Sequence, residues 1–214
     1  MPESNSLIDE KLASHRDTLG VVIVSLFTAV YLSAGMFISA RKENWEFAFY
    51  IPIVLMLGML TLAIRRRIGL TLSMLWLLSL WGLLHVVGGV LEVPAGWPVD
   101  GPKRSFYSWE IIPDVLVYDK PVHAFGFGVA TWICWQGLCA TCGSSRRTLG
   151  RLTLAGLSGT GLGATNEVIE FVASQTMDTN VGGYVNTGGD LIANALGALV
   201  AVLLIAVFSP KDET

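Results

Sequence analysis

Charge is what this sequence has least of. Only 14% of its 214 residues are Asp, Glu, Lys or Arg, while 52% are hydrophobic. Soluble domains carry roughly 25% charged residues, so a soluble globular fold is excluded. The formal net charge is -3, which leaves no basic footprint and nothing that points to nucleic acid. Cysteine is nearly absent as well. Cys134, Cys139 and Cys142 are an odd number within one apolar block, so no disulfide framework is implied. Cys139-Ala-Thr-Cys142 has the spacing of a redox or metal pair but lacks a second pair, and small packing residues near a helix end are expected there. No basic region followed by a short apolar core opens the chain. Met1 to Thr18 is polar and carries acids, so a cleavable signal peptide is not expected. Internal repeats, heptads and low-complexity tracts are also missing.

What the chain has instead is long apolar blocks, and a mean hydropathy of +0.58. Six blocks approach the roughly 20 residues that cross a bilayer core. They run about Gly20 to Ala40, Phe47 to Ile64, Ile68 to Leu91, Pro121 to Cys142, Leu152 to Val172 and Leu191 to Phe208. An all-α protein with six transmembrane helices is expected. Residues 1–18 form a short tail, with an amphipathic turn around Leu7, Ile8 and Leu12, and residues 210–214 form another. The transmembrane domain covers 19–209, and its longest loop is 92–120.

Arginine sets the expected sidedness. Arg65, Arg66 and Arg67 fill the connection between the second and third blocks. Arg146, Arg147 and Arg151 load the one between the fourth and fifth. Tight basic connections stay in the cytoplasm, which puts both termini there. Nine Lys and Arg then lie inside, and five lie outside (Arg41, Lys42, Lys103, Arg104 and Lys120). The loop 92–120 is external. Pro94, Pro98, Pro102 and Pro113 break regular helix in it. Its Trp97, Phe106, Tyr107 and Trp109 suit anchoring at the headgroup level, with ligand contact the lesser expectation. A second external loop, Ala173 to Gly189, takes its turns from Gly182-Gly183 and Gly188-Gly189.

Ionisable groups beside or inside the blocks then converge on one depth. His85 lies about two turns from the outer end of the third block. Asp119 and His123 flank Pro121, a residue suited to the first turn of a helix. Glu167 and Glu170, with Asn166 alongside, sit in the last turns of the fifth block. Asp190, Asn194 and Gly197 share one face of the sixth. Gly159, Gly163, Glu167 and Glu170 share a face of the fifth, where small residues allow close approach of helices. Two carboxylates that close in low dielectric cannot both ionise without a cation or a proton. Four carboxylates, two imidazoles and one nearby lysine leave something positive to be supplied: protons, a metal or a cationic ligand.

These residues carry a resemblance. His85-Val-Val-Gly88-Gly89, Tyr118-Asp119-Lys120-Pro121-Val122-His123, Glu167-Val-Ile-Glu170 and Asp190-Leu-Ile-Ala-Asn194-Ala-Leu-Gly197 resemble the YjdF-type bacterial inner-membrane family. More distantly they are similar to the VanZ-like superfamily, with Glu170 where that pattern has Gln. The resemblance covers about Leu84 to Ala201. It implies a multi-spanning protein of the bacterial plasma membrane with no settled activity.

Three functions stay open. One is an enzyme acting on a lipid-linked or cell-envelope substrate. There His85, His123 and Asp190 would help hold a divalent metal, Zn or Mn by the mixed donor set, and Glu167 and Glu170 would supply the general base. Another is a binding or transport protein that uses the same acids for a cation, a proton or a lipid headgroup. The last is a structural network, with Asp119 and Asn194 among its members, that locks the helices together.

Overall fold

A computed structural model describes residues 2–176 and 183–208. Six helices account for nearly all of them: α1 (Pro2–Arg41), α2 (Trp45–Ile68), α3 (Leu72–Val90), α4 (Asp119–Cys142), α5 (Leu149–Thr176) and α6 (Tyr184–Phe208). The all-α expectation holds. Three of the helices, over Ser14–Arg41, Leu72–Val90 and Tyr184–Phe208, are long and apolar enough to cross a membrane. α4 and α5 are richer in polar and small residues, and they carry most of the ionisable groups discussed below.

Several helix boundaries differ from the sequence expectation, each for a local reason. The expected tail before Gly20 is helical from Pro2 and continues into α1. Ile68 belongs to α2, not α3. Gly69 takes a left-handed φ of 66°, and the Thr71 hydroxyl then caps α3 by accepting from the Met74 amide. Gly188 and Gly189 are no turn: α6 already runs from Tyr184, so both glycines lie within helix. Gly182 and residues 210–214 lie outside the described residues.

Contacts along the helices fix their directions. α1 and α3 run parallel. Thr28 meets Ser79 at 2.7 Å, the Tyr31 hydroxyl donates to the Ser79 carbonyl at 3.0 Å, and Lys42 reaches Glu92 at 2.8 Å. α2 runs back against α1, with Ile51 near Gly35 and Arg65 paired to Asp17 at 2.6 Å. α4 and α6 run parallel and pack directly on each other, and α5 runs antiparallel against both. Thr131 faces Gly159, Asn194 faces Gly163, and the Ala124 carbonyl faces Gly197. At each of these points a side chain on the glycine would collide with the neighbour. Direction therefore alternates through all six helices. The arginine connections lie at one end, where Arg147 donates to the Ala206 and Val207 carbonyls. The start of α4 and the start of α6 lie at the other.

The segment between α3 and α4 folds over that second end. It contains a 3-10 turn at Phe106–Ser108 and a small antiparallel pair, β1 (Glu110–Ile112) and β2 (Leu116–Val117), turning through Asp114 at φ 60°. Its aromatics pack on one another, with Phe106, Trp109 and Tyr118 in mutual contact.

Candidate functional site

The start of α4 supplies three groups within one turn. Asp119 occupies the first turn, where the helix dipole favours an anion. Pro121 needs no amide partner there. His123 follows Asp119 by four residues, so its Nε2 comes back to 3.5 Å from Asp119 Oδ1.

Helix α6 meets this turn side by side. Asp190 is fully buried. Its Oδ1 accepts from the Lys120 ammonium at 2.8 Å, and its Oδ2 accepts from the Asn186 amide at 2.6 Å. Lys120 also donates to Asn186 Oδ1 at 2.7 Å and lies 3.5 Å from Asp119. Both oxygens of Asp190 are thus engaged, by a fixed cation and by the neighbour one turn earlier.

One turn deeper the pattern repeats with different chemistry. Asn194 is fully buried and bridges two helices. It donates through Nδ2 to Glu167 Oε1 at 3.0 Å and accepts through Oδ1 from His123 Nδ1 at 3.2 Å. His123 Nδ1 lies 3.2 Å from Glu167 Oε1 as well. Only acceptors surround that nitrogen, so it carries the proton. Nε2 faces the Asp119 carboxylate, the group with which it can exchange a proton. Glu167 is buried behind His123. Glu170, one turn on, is held by the Asn166 amide at 2.7 Å.

His85 comes from α3 and completes the set from its edge. Its ring lies 6.0 Å from that of His123, centroid to centroid. Its Nδ1 and its backbone carbonyl both meet the Tyr107 hydroxyl. Tyr107 reaches this position because Gly88 offers no side chain beneath its ring. Tyr118 closes the same corner by donating to the Leu84 carbonyl at 3.1 Å. Burial pushes the Tyr118 phenol up to about 12, so it remains a donor across the physiological range.

All seven residues singled out in the sequence gather here: His85, Asp119, His123, Glu167, Glu170, Asp190 and Asn194. Two sets of three place donor atoms within 4.8 Å of one another: Asp119, His123 and Asp190, and His123, Glu167 and Glu170. His123 belongs to both, and His85 to neither. The cysteines are elsewhere. Cys139 and Cys142 sit at the far end of α4, and none of the three is disulfide-bonded. Sequence reasoning named Tyr107 only as an interfacial aromatic of the loop and Tyr118 only within the resemblance motif, and it missed Asn186, which lies four residues ahead of Asp190 on the same helix face.

A cavity of about 1050 Å³ adjoins the cluster. His85, Asp119, Lys120, His123, Asn166 and Glu170 border its polar end. Its other end is apolar and runs between α1, α2 and α3, past Leu32, Ile51 and Leu62. Glu167, Asp190 and Asn194 stand behind this wall.

The described geometry is that of a helical protein with three helices long and apolar enough to cross a membrane and a buried polar end, and the comparison with known families agrees. The predicted membrane protein family DUF2238 matches residues 19–211. The chain belongs to that family. The match takes in all of α2 to α6 and with them every residue of the cluster just described. No curated protein and no solved structure matches the chain.

Proposed function

We propose that this is a six-span protein of the bacterial plasma membrane, of YjdF or distantly VanZ-like type, whose polar cluster faces outward and acts on the head of a lipid-linked or cell-envelope substrate. The arrangement of arginine supports the orientation. The connections with Arg65–Arg67 and with Arg146, Arg147 and Arg151 lie at the end opposite the cluster, and positive-inside bias keeps that end cytoplasmic. Residues 1–18 and 210–214 are then cytoplasmic tails, and 92–120 is an external loop over the site.

One observation carries the functional reading. His123 is clamped at Nδ1 by Glu167 and Asn194, and its Nε2 turns to Asp119 at the polar end of a 1050 Å³ cavity. A clamped imidazole with one exchangeable nitrogen is the arrangement used for general acid–base work. Glu170, on the same wall, is the second group able to carry a proton. Asp190 and Lys120 fit a supporting role, because each takes the other's charge.

A metal-assisted form rests on His123, Glu167 and Glu170, and an ion there would take the place of the proton on the His123 nitrogen that faces Glu167. Mixed imidazole and carboxylate donors suit Zn or Mn. Asp190 is the weaker ligand, since an ammonium already occupies the place of a cation. His85 stands one ring further out.

The test combines a cell-envelope phenotype of the gene deletion with melting in detergent. We expect His123→Ala and Glu170→Gln to lose complementation while Glu170→Gln keeps its melting temperature. Full complementation by both variants would overturn the reading in favour of a structural network. Metal analysis of the purified protein separates the two chemical forms: a stoichiometric ion lost in His123→Ala supports the metal form, and its absence from wild type leaves acid–base work alone.

A further inference from the structure

Most polar atoms of the cluster are already engaged by one another. Lys120 bonds to Asp190 and Asn186, both oxygens of Asp190 are taken, and both nitrogens of His123 face acceptors. His85 differs, because it is held on one side only. Its Nδ1 meets the Tyr107 hydroxyl, while its Nε2 has no hydrogen-bond partner among the described residues. A polar atom inside a protein normally has a partner. Nε2 is not sealed among protein atoms either. It opens on the cavity, whose polar end His85 lines.

Tyr107 decides what that nitrogen can do. A phenol has one proton to give. The Tyr107 hydroxyl donates it to the His85 backbone carbonyl at 3.1 Å. At Nδ1 the hydroxyl oxygen therefore accepts, so the ring proton sits on Nδ1 and Nε2 keeps its lone pair. Neighbouring rings hold the imidazole in that pose. Trp81 meets it in a T-shaped contact with centroids 5.1 Å apart, and Tyr107 does so at 5.9 Å. Gly88, three residues on along α3, leaves the room in which the Tyr107 ring lies.

Resting on the reading of the cluster as a substrate site, we infer that His85 is the imidazole that touches the substrate. Its Nε2 accepts a hydrogen bond from an O–H or N–H group of the head, so the head must present such a donor. Tyr107 is the positioning residue: it fixes the tautomer and the rotation of the ring without reaching the substrate itself. The two histidines then divide the work. His123 exchanges its proton with Asp119, and His85 holds the head from the α3 side of the cavity.

Three measurements on the full-length protein test this. Diethyl pyrocarbonate acylates an imidazole nitrogen that has a free lone pair, and peptide mass spectrometry can follow the chain's three histidines separately. His15 is exposed and reports on the reagent. We expect His85 to react about tenfold faster than His123, which must first give up bonds to its acceptors. Nitrogen NMR of histidine-labelled protein should find His85 protonated at Nδ1, and Tyr107→Phe should move that proton to Nε2, the form that a free imidazole side chain prefers. His85→Asn sets an amide where Nδ1 stands and leaves the place of Nε2 empty. It should keep the melting temperature in detergent and lose complementation of the gene deletion, whereas a purely structural His85 would be replaced by Asn without loss. Acylation of His123 as fast as His85, protonation of His85 at Nε2 in the unaltered protein, or full complementation by His85→Asn overturns the inference. Any of these leaves the reading of the cluster standing, since that is judged by His123→Ala and Glu170→Gln.

Discussion

Asp190 shows how tightly single residues are bound into the polar end of this protein. Its side chain is fully buried, and its two oxygens are divided between Lys120 and Asn186. Removing one member of a buried pair strands the other charge at about 3–5 kcal/mol, whereas replacing both with apolar groups is often neutral. Asp190→Asn should therefore lower the melting temperature in detergent markedly, and Asp190→Leu with Lys120→Met should recover most of the loss. If the double variant melts no higher than Asp190→Asn, the pair is not the source of the stability. Residue identity at this scale was largely legible. Spacings of three and four residues placed Asp119 with His123, and Asp190 with Asn194, on shared helix faces. Tyr107 was not legible, because its partner His85 lies across a loop whose path no local periodicity encodes. Nor could spacing reveal that Lys120 points at Asp190, which is 70 residues away in sequence.

At the scale of helices, the seam between α4, α5 and α6 depends on residues without side chains. A Cβ on Gly197 would strike the Ala124 carbonyl, which is backbone and cannot rotate away. Gly161 on α5 has nothing within 4 Å of its Cβ position. Overpacking a tight interface costs about 1–3 kcal/mol, and Gly→Ala at an unobstructed helical site gains about 0.4–1 kcal/mol. Gly197→Ala should thus lower the melting temperature and Gly161→Ala should hold or raise it. Equal effects from the two substitutions would mean that α4 and α6 are not in backbone contact. The existence and order of the six helices could be read from the apolar blocks. Their ends could not. Gly188 and Gly189 suit a turn in isolation, yet α6 starts at Tyr184 and continues through both. There, helical pairing of Asn186 with Asp190 outweighs the intrinsic preference of glycine.

Over the whole molecule, sidedness is the decisive property. Val115 and Leu149 are highly exposed, at 77% and 81%, and lie at opposite ends of the helix set. In a background with Cys134, Cys139 and Cys142 replaced by Ala, Val115→Cys should react with a membrane-impermeant maleimide in intact cells. Leu149→Cys should react only after lysis. The reverse pattern would turn the cluster to the cytoplasm and remove the envelope substrate.

The pairing of α4 with α6 also has a consequence for biosynthesis. Lys120 and His123 leave the ribosome about 70 residues before Asp190 and Asn194 do. At 5–20 residues per second, on the order of 4–14 seconds pass before those counterparts exist. During that interval the nascent fourth helix holds an ammonium and an imidazole without their later partners. A chain truncated before α6 should therefore stall at the insertion machinery or fall to membrane proteases, even though most of its helices have already been made.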